Sequence, residues 1–485
     1  MKRLLCLILV FAMALIISAC RDELTTEGAG LDYVYYESTE NFDDSSLEDT
    51  ENENNKDNTS FEYKENKNSS RYVYSNIQQQ NPGNFSPPTT NKTSSNDVKT
   101  NTSKNSTFSK TSSSVYPTKL REILVRRSNL PCFKIVGRTV ANATSGIELN
   151  WSCSSIEFDL NCEKDIDLIF SRGNGLNSVF IEIYVDGKLF EERTRLDYAG
   201  NNEFTVATDI SYGIHRVRVV RQSDCECPTL TLTKIRTYGT LITKAPENNN
   251  LYIEFLGDAS QIGWGVRLED SFFANYNSEE QQAIARNKEN EDGTLAYPYV
   301  TAEKLGADAY VFARQGVGVA ATWHTIAKTV DGQSNIICNA QAGLLPTMYD
   351  YVSINSNTKY EPTRTPDVIV IEAGGTDVNP TCLSMVYDSD RVGIDVSCAE
   401  QISKDFLLSL KTKNPNTKII WCYGFGDSST KLAQYVERVV EGAGGADKGI
   451  YSLKLPENKR YGYASPKEHA AAADVLVRKI KQIIK

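Results

Sequence analysis

The 485-residue chain changes its hydrophobic rhythm near residue 250, and one packed layer cannot satisfy both rhythms. From about Cys132 to Ala245, short stretches alternate polar and apolar residues. Ile181-Glu182-Ile183-Tyr184-Val185 runs into Asp186-Gly187 and then Lys188-Leu189-Phe190, the pattern of two strands joined by a two-residue turn. His215 to Arg221 and Thr229 to Ile235 alternate in the same way. Short strands without helical runs predict a β-sandwich, jelly-roll-like, over 125–248. From Leu251 the apolar runs lie at 251–256, 309–313, 368–371, 419–422 and 450–453, and helix-like stretches such as Gln401 to Lys411 and Lys431 to Glu441 separate them. The last helix is announced by Ser465-Pro466-Lys467-Glu468, an N-cap serine, a first-turn proline and a reciprocating glutamate. Behind that signal, Ala472, Leu476, Ile480 and Ile483 recur at helical spacing. Strands alternating with helices predict an α/β domain over 250–485: three layers, a flavodoxin-like parallel sheet, and a crevice at the strands' carboxyl ends.

The first twenty residues read as an address. Lys2-Arg3 precede an apolar stretch from Leu4 to Ile17, too short to span a bilayer comfortably. It ends in Ile17-Ser18-Ala19-Cys20, which resembles a bacterial lipobox and implies cleavage before Cys20 and acylation of its sulfur. No second long apolar segment follows, so the expectation is a secreted protein, lipid-anchored at the outer face of the bacterial cell membrane. Residues 21–120 are rich in Ser, Thr, Asn and acidic side chains. Such sequence buries too little apolar area to offset chain entropy, and it reads as a disordered tether spanning about 50–60 Å.

A net charge of −10 and the lack of any Lys/Arg-rich block argue against nucleic acid as a partner. Nine cysteines follow Cys20, so at least one is unpaired. In an exported chain, Cys153 with Cys162 and Cys382 with Cys398 are the pairs near enough in sequence to examine first as disulfides. Cys338 and Cys422 sit in apolar surroundings that suit buried free thiols. Cys225-x-Cys227 has no second pair of ligands at zinc spacing, and the chain has three histidines, so neither metal nor cofactor is expected.

The first apolar strand of the second domain breaks into Gly257-Asp258-Ala259-Ser260, then Gln261-Ile262-Gly263-Trp264-Gly265. A strand ending in Gly-Asp-X before a glycine-rich turn resembles the opening block of the SGNH (GDSL-type) hydrolases. In that family X is the nucleophilic serine. The pairing of a sandwich with such a domain, over roughly 130–485, resembles carbohydrate esterase family 2. The pieces that carry this likeness are Ile135-Val136-Gly137-Arg138-Thr139, Val185-Asp186-Gly187, His215 to Arg221, Ala296-Tyr297-Pro298-Tyr299 and Pro366 to Ile371.

The resemblance implies four groups: an attacking serine, a histidine base, and glycine and asparagine donors to the oxyanion. Carried over residue by residue, the serine position is Ala259 and the glycine is Gly316. The Gly-x-Asn-Asp block falls on Gly374-Gly375-Thr376-Asp377, which puts Thr376 where asparagine is expected. Counting back from the last helix, the histidine falls near Tyr463 and its aspartate near Arg460. A methyl group cannot attack a carbonyl. The reading is therefore an esterase fold whose chemistry is impaired, with acetylated polysaccharide as the implied ligand. Asp258, Trp264, Trp323, Thr376, Asp377 and Tyr463 are the candidate ligand-facing residues. Two alternatives stay open. One is an active O-acetyl esterase with a rearranged site, Ser260 attacking and His469 as base. The other is a non-enzymatic adhesive or structural surface lipoprotein. His324 reads as structural, and His215 is expected to pack at the domain junction.

Overall fold

The computed structural model describes residues 119–484, apart from 140, 143–145, 321–324, 331–332, 339–343, 355, 379–395 and 461. Its first part is antiparallel: β1 (Arg121–Leu124), β2 (Phe133–Val136), β3 (Ala141–Asn142), β4 (Gly146–Leu149), β5 (Ser155–Arg172), β6 (Val179–Val185), β7 (Lys188–Leu196), β8 (Gly200–Arg221) and β9 (Leu230–Leu241). Hydrogen bonds link them in the order β3-β4-β9-β5-β8-β6-β7, with β1 on β9 and β2 on β5. The turn between β6 and β7 forms at Asp186-Gly187, whose φ angles of 53° and 73° match the twist of an antiparallel pair. The long strands β5 and β8 shift register around Cys162, Lys164 and Ile166. Such bulges bend a strand and help the sheet curve over its core of Phe158, Leu168, Ile181, Val219 and Leu232.

The second part is parallel. β10 (Tyr252–Gly257), β11 (Asp308–Ala313), β14 (Val368–Glu372), β15 (Lys418–Tyr423) and β16 (Ile450–Lys454) pair in the order β11-β10-β14-β15-β16; β12 (Thr325–Val330) and β13 (Gln333–Cys338) form a separate hairpin. Among the described residues, seven helices accompany them: α1 (Glu279–Ala285), α2 (Tyr297–Leu305), α3 (Leu345–Met348), α4 (Gly375–Val378), α5 (Val396–Lys413), α6 (Thr430–Gly442) and α7 (Pro466–Ile483). On one face of the sheet, Leu407, Leu410, Val436 and Val439 pack on Ile369, Ile371 and Ile419. On the other, Ala302, Ala472 and Leu476 pack on Ile253, Phe255, Val370 and Ile420. Covering both faces is why the strands read as unbroken apolar runs. The capping box at Ser465 and Glu468 forms, and Ala472, Leu476 and Ile480 are buried as their spacing requires.

The seam between the two parts is rich in buried charge. Arg138 lies 4.2 Å from the ring centres of Phe312, Tyr349 and Tyr360. Its Nε donates to Tyr310 Oη at 2.8 Å, and Nη1 donates to the Tyr349 and Tyr351 carbonyls. Glu254, a lone acid inside the apolar strand β10, accepts from Tyr252, Tyr310 and Tyr349 at 3.2, 3.2 and 2.7 Å. Farther along, Lys288 reaches Asp224 and Glu226 at 2.5 and 2.8 Å. Burial opposes ionisation of Glu226, yet Lys288 and Arg314 hold its pKa down to about 2.

Two expectations need correction. Cys153 and Cys162 are both buried free thiols. Cys153 packs at the seam with Val220 and Cys162 in the core of the first sheet, so neighbours in sequence end in different cores. His215 is not at the junction. Its Nδ1 pairs with Asp186 Oδ2 at 2.7 Å and its Nε2 donates to Ser211 O at 2.8 Å, both within the antiparallel part. Cys422 is buried and free, whereas Cys20 and Cys382, and the side chains of Cys338 and Cys398, lie outside the described residues.

Candidate functional site

β10, β11 and β14 are parallel neighbours, so the loops that leave their carboxyl ends converge where the strand order turns back on itself. Gly257 closes β10. A Cβ there would stand 2.2 Å from the Glu372 carbonyl, so only glycine lets the turn begin against β14. Asp258 N–H then donates to Glu372 O at 3.2 Å. Ala259 opens a short 3-10 turn, Ala259–Ile262, with Asp258 as its N-cap.

The Asp258 carboxylate holds the site's backbone donors. Its Oδ1 accepts from Ala259 N at 2.7 Å and from Gly316 N at 2.6 Å. These are the two amides that the SGNH pattern directs at an oxyanion. An amide already donating to a carboxylate has little left for a second anion. Desolvation, with Glu372 and Asp377 nearby, pushes the pKa of Asp258 up to about 7 against the pull of the two amides. Asp377 is buried and tied to the Gly316 loop, accepting from Val319 N at 3.0 Å and Ala320 N at 2.9 Å. Thr376 is 4% exposed, and its hydroxyl is buried without a hydrogen-bond partner among the described residues.

A crevice of about 160 Å³ opens over this edge, walled in part by Ala259, Trp264, Gln315 and Gly462. Asp258, Ser260, Glu372 and Asp427 also face it. It adjoins a larger cavity of about 630 Å³ through Gly426, Asp427 and Gly462. Thr376 and Asp377 are not among the residues that line it.

Ser260 Oγ donates to Glu372 Oε2 at 2.6 Å. Glu372 also accepts from Tyr297 Oη at 2.9 Å and Gly426 N at 3.0 Å, and burial raises its pKa. His469 Nδ1 accepts the Tyr297 backbone N–H at 3.1 Å. Its ring lies 4.9 Å from Phe425, and burial pushes its pKa down to about 3. Ser260 and the Tyr297 hydroxyl both donate to Glu372, His469 accepts from the Tyr297 backbone, and Ser260 and His469 share no hydrogen bond. The dyad expected of them is not assembled.

Where the resemblance expects the base, Tyr463 N–H donates to Arg460 O at 2.9 Å, so one turn carries both residues. Tyr463 is buried in an aromatic group, with ring centres 4.9 Å from Trp264 and 5.7 Å from Phe273, and its hydroxyl accepts from Tyr276 at 3.2 Å. The Arg460 guanidinium lies 4.3 Å from the Phe273 ring centre and donates to the Leu268 carbonyl. Trp323 and His324 lie outside the described residues. Sequence reasoning missed Glu372 and Asp427. A signal for Glu372 existed, since it is the one charge ending the run Val368-Ile369-Val370-Ile371.

Residues 135–258 match the family model described as Carbohydrate esterase 2 N-terminal. No curated protein sequence matches the chain. Among solved structures, the chain is similar to a family two carbohydrate esterase from Clostridium thermocellum in complex with cellohexaose, with TM-score 0.57 and 18% identity, covering 72% of this chain and 98% of that one. It is similar to a family two carbohydrate esterase from Cellvibrio japonicus, with TM-score 0.59 and 18% identity, covering 75% of this chain and 98% of that one. It is also similar to an acetyl xylan esterase from the rumen bacterium Butyrivibrio proteoclasticus, with TM-score 0.57 and 19% identity, covering 76% of this chain and all of that one. At such identities the likeness is one of fold. An antiparallel domain that matches the family's N-terminal model over residues 135–258, joined to a parallel α/β domain, gives this chain the fold of the family two carbohydrate esterases to which it is similar.

Proposed function

We propose that this protein binds acetylated polysaccharide in the crevice at Ala259 and has lost, or nearly lost, ester hydrolysis. The observation that carries this reading is Ala259 itself, a methyl group at the tip of β10 where an SGNH nucleophile stands. Its surroundings agree. Both backbone donors are engaged by Asp258, and a buried tyrosine occupies the base position. Removing the nucleophile or base of such a triad costs about 10⁴–10⁶-fold in rate. The proposal includes the chain's arrangement: a signal over 1–20, a tether over 21–120, a sandwich over 125–248 and the hydrolase-like domain over 250–485. It also places the protein at the cell surface on an acylated Cys20.

The test uses the full chain with acetylated xylan and acetylated mannan. Retardation in gels containing the polysaccharide, without acetate release above buffer, is the expected result. Acetate release at ordinary esterase rates would overturn the reading. One observation favours a second reading. Ser260 Oγ already donates to a carboxylate, Glu372, and both face the crevice. Were turnover found, Ser260→Ala abolishing it would identify an esterase whose base is Glu372.

A further inference from the structure

The charged side chains that face the small crevice, among the described residues, are Asp258, Glu372 and Asp427, and none is cationic. Their hydrogen-bond donors are neutral. Asp258 takes two amides, Glu372 takes a serine, a tyrosine and an amide, and Asp427 Oδ1 takes Ser429 N at 2.8 Å. The Oδ2 atoms of Asp258 and Asp427 keep their accepting capacity. Carboxylates stripped of water without a cation are costly to ionise: burial raises the pKa of both Asp258 and Glu372, and at Asp258 the nearby Glu372 and Asp377 add to that cost. A bound cation would relieve it.

A second observation points to the rest of the ligand. Trp264 lines the crevice and is 9% exposed, and its indole N–H is buried with no acceptor among the described residues. An indole N–H can only donate, so a partner must bring an oxygen. The indole face is also a surface for a sugar ring or an ammonium. A ligand that meets both demands carries hydroxyls and a protonated amine. The adjoining cavity adds Glu457 and Lys431, one charge of each sign, and so leaves the acidic balance unchanged.

We infer that the crevice selects a polysaccharide bearing free protonated amines, the N-deacetylated stretch of an amino-sugar polymer. The inference rests on the glycan-binding reading above and narrows its ligand. The cationic sugar places its ammonium between Asp258 and Asp427 and a hydroxyl against Trp264.

The experiment titrates the full chain, at pH 7 and 150 mM salt, with three hexamers: β-1,4-linked glucosamine, its N-acetylated form, and cellohexaose. The glucosamine hexamer should bind at least about tenfold more tightly than either neutral hexamer, the size of one charge-assisted contact. Because the chain carries −10, a polycation could adhere anywhere on it, so variants decide the site. Asp427→Asn should weaken the glucosamine hexamer at least fivefold more than it weakens cellohexaose. Trp264→Phe should weaken all hexamers that bind, since it removes the donor and keeps an aromatic face. Circular dichroism establishes that both variants fold. Neutral hexamers binding as tightly as the amine, or Asp427→Asn acting equally on all, would overturn this inference and leave the glycan reading standing. If none of these hexamers and no acetylated polysaccharide binds, both fall together.

Discussion

A single methyl group carries most of the functional argument. Ala259 stands where we propose that the family's nucleophile would be, and Asp258 beside it gathers Ala259 N and Gly316 N onto one oxygen. The site is thus altered in its donors as well as in its nucleophile. Ala259→Ser alone should leave aryl-acetate turnover at background, because Tyr463 is locked in an aromatic group and no base stands beside the new hydroxyl. Ala259→Ser with Tyr463→His should raise turnover above background. It should remain about 10²–10³-fold short of a complete site, since Thr376 is buried, does not line the crevice and stands where the resemblance expects an asparagine donor. Initial rates on 4-nitrophenyl acetate check this. Equal rates for the natural protein and the double variant would mean that Ala259 and Tyr463 do not stand at a nucleophile and its base.

Between elements, the seam is held by ions that hydrocarbon could have replaced. Arg138 enters from the loop after β2, stacks on three aromatic rings and shares tyrosines with Glu254 of β10. Removing one partner of a buried charge network leaves the other uncompensated, so Arg138→Ala should cost about 3–5 kcal/mol in urea unfolding. Arg138→Lys should recover less than half of that, because an ammonium neither stacks flat nor forks its donors. A loss below about 1 kcal/mol for Arg138→Ala would show the network to be incidental.

Glu182 of β6 gives the same seam a pH dependence. Desolvation, then the nearby Asp292, pushes its pKa up to about 7, against Tyr184 and Thr294 donating at 2.8 and 3.0 Å. A carboxyl whose folded pKa lies above its unfolded value binds its proton more tightly when folded. It therefore stabilises fully below the unfolded value near 4.5, and the benefit is lost as pH rises through about 7. Glu182→Gln should raise Tm by about 2–4 °C at pH 8 and leave it unchanged at pH 4.5. Thermal melts at both pH values check this, and equal shifts at the two would contradict it.

On the scale of the whole molecule, no helix among the described residues is long and apolar enough to cross a membrane. The proposed attachment rests instead on Cys20. Cys20→Ser should leave the precursor unprocessed or release the protein from membranes, read by fractionation and by incorporation of labelled palmitate. Unchanged processing and retention would refute the lipid anchor. The proposed tether of about a hundred residues would suit a protein meeting long polymers rather than small esters.

The sequence alone determined what depends on short-range periodicity and local chemistry. The Asp186-Gly187 turn, the five parallel strands and the Ser465 cap all formed where their patterns placed them, because pitch and capping are properties of neighbouring residues. That Gly257-Asp258-Ala259 would end a strand and open a turn was legible too. Tertiary structure decided the rest. Whether Ser260 meets His469 depends on two segments some two hundred residues apart, and Glu372 and Tyr297 come between them. His215 found its partner in the turn beside it, and Cys153 and Cys162 went to separate cores, because packing rather than spacing chooses neighbours. The acidic crevice joins Asp258, Glu372 and Asp427 from the ends of three strands, a juxtaposition that exists only once the parallel sheet has brought those ends to one edge.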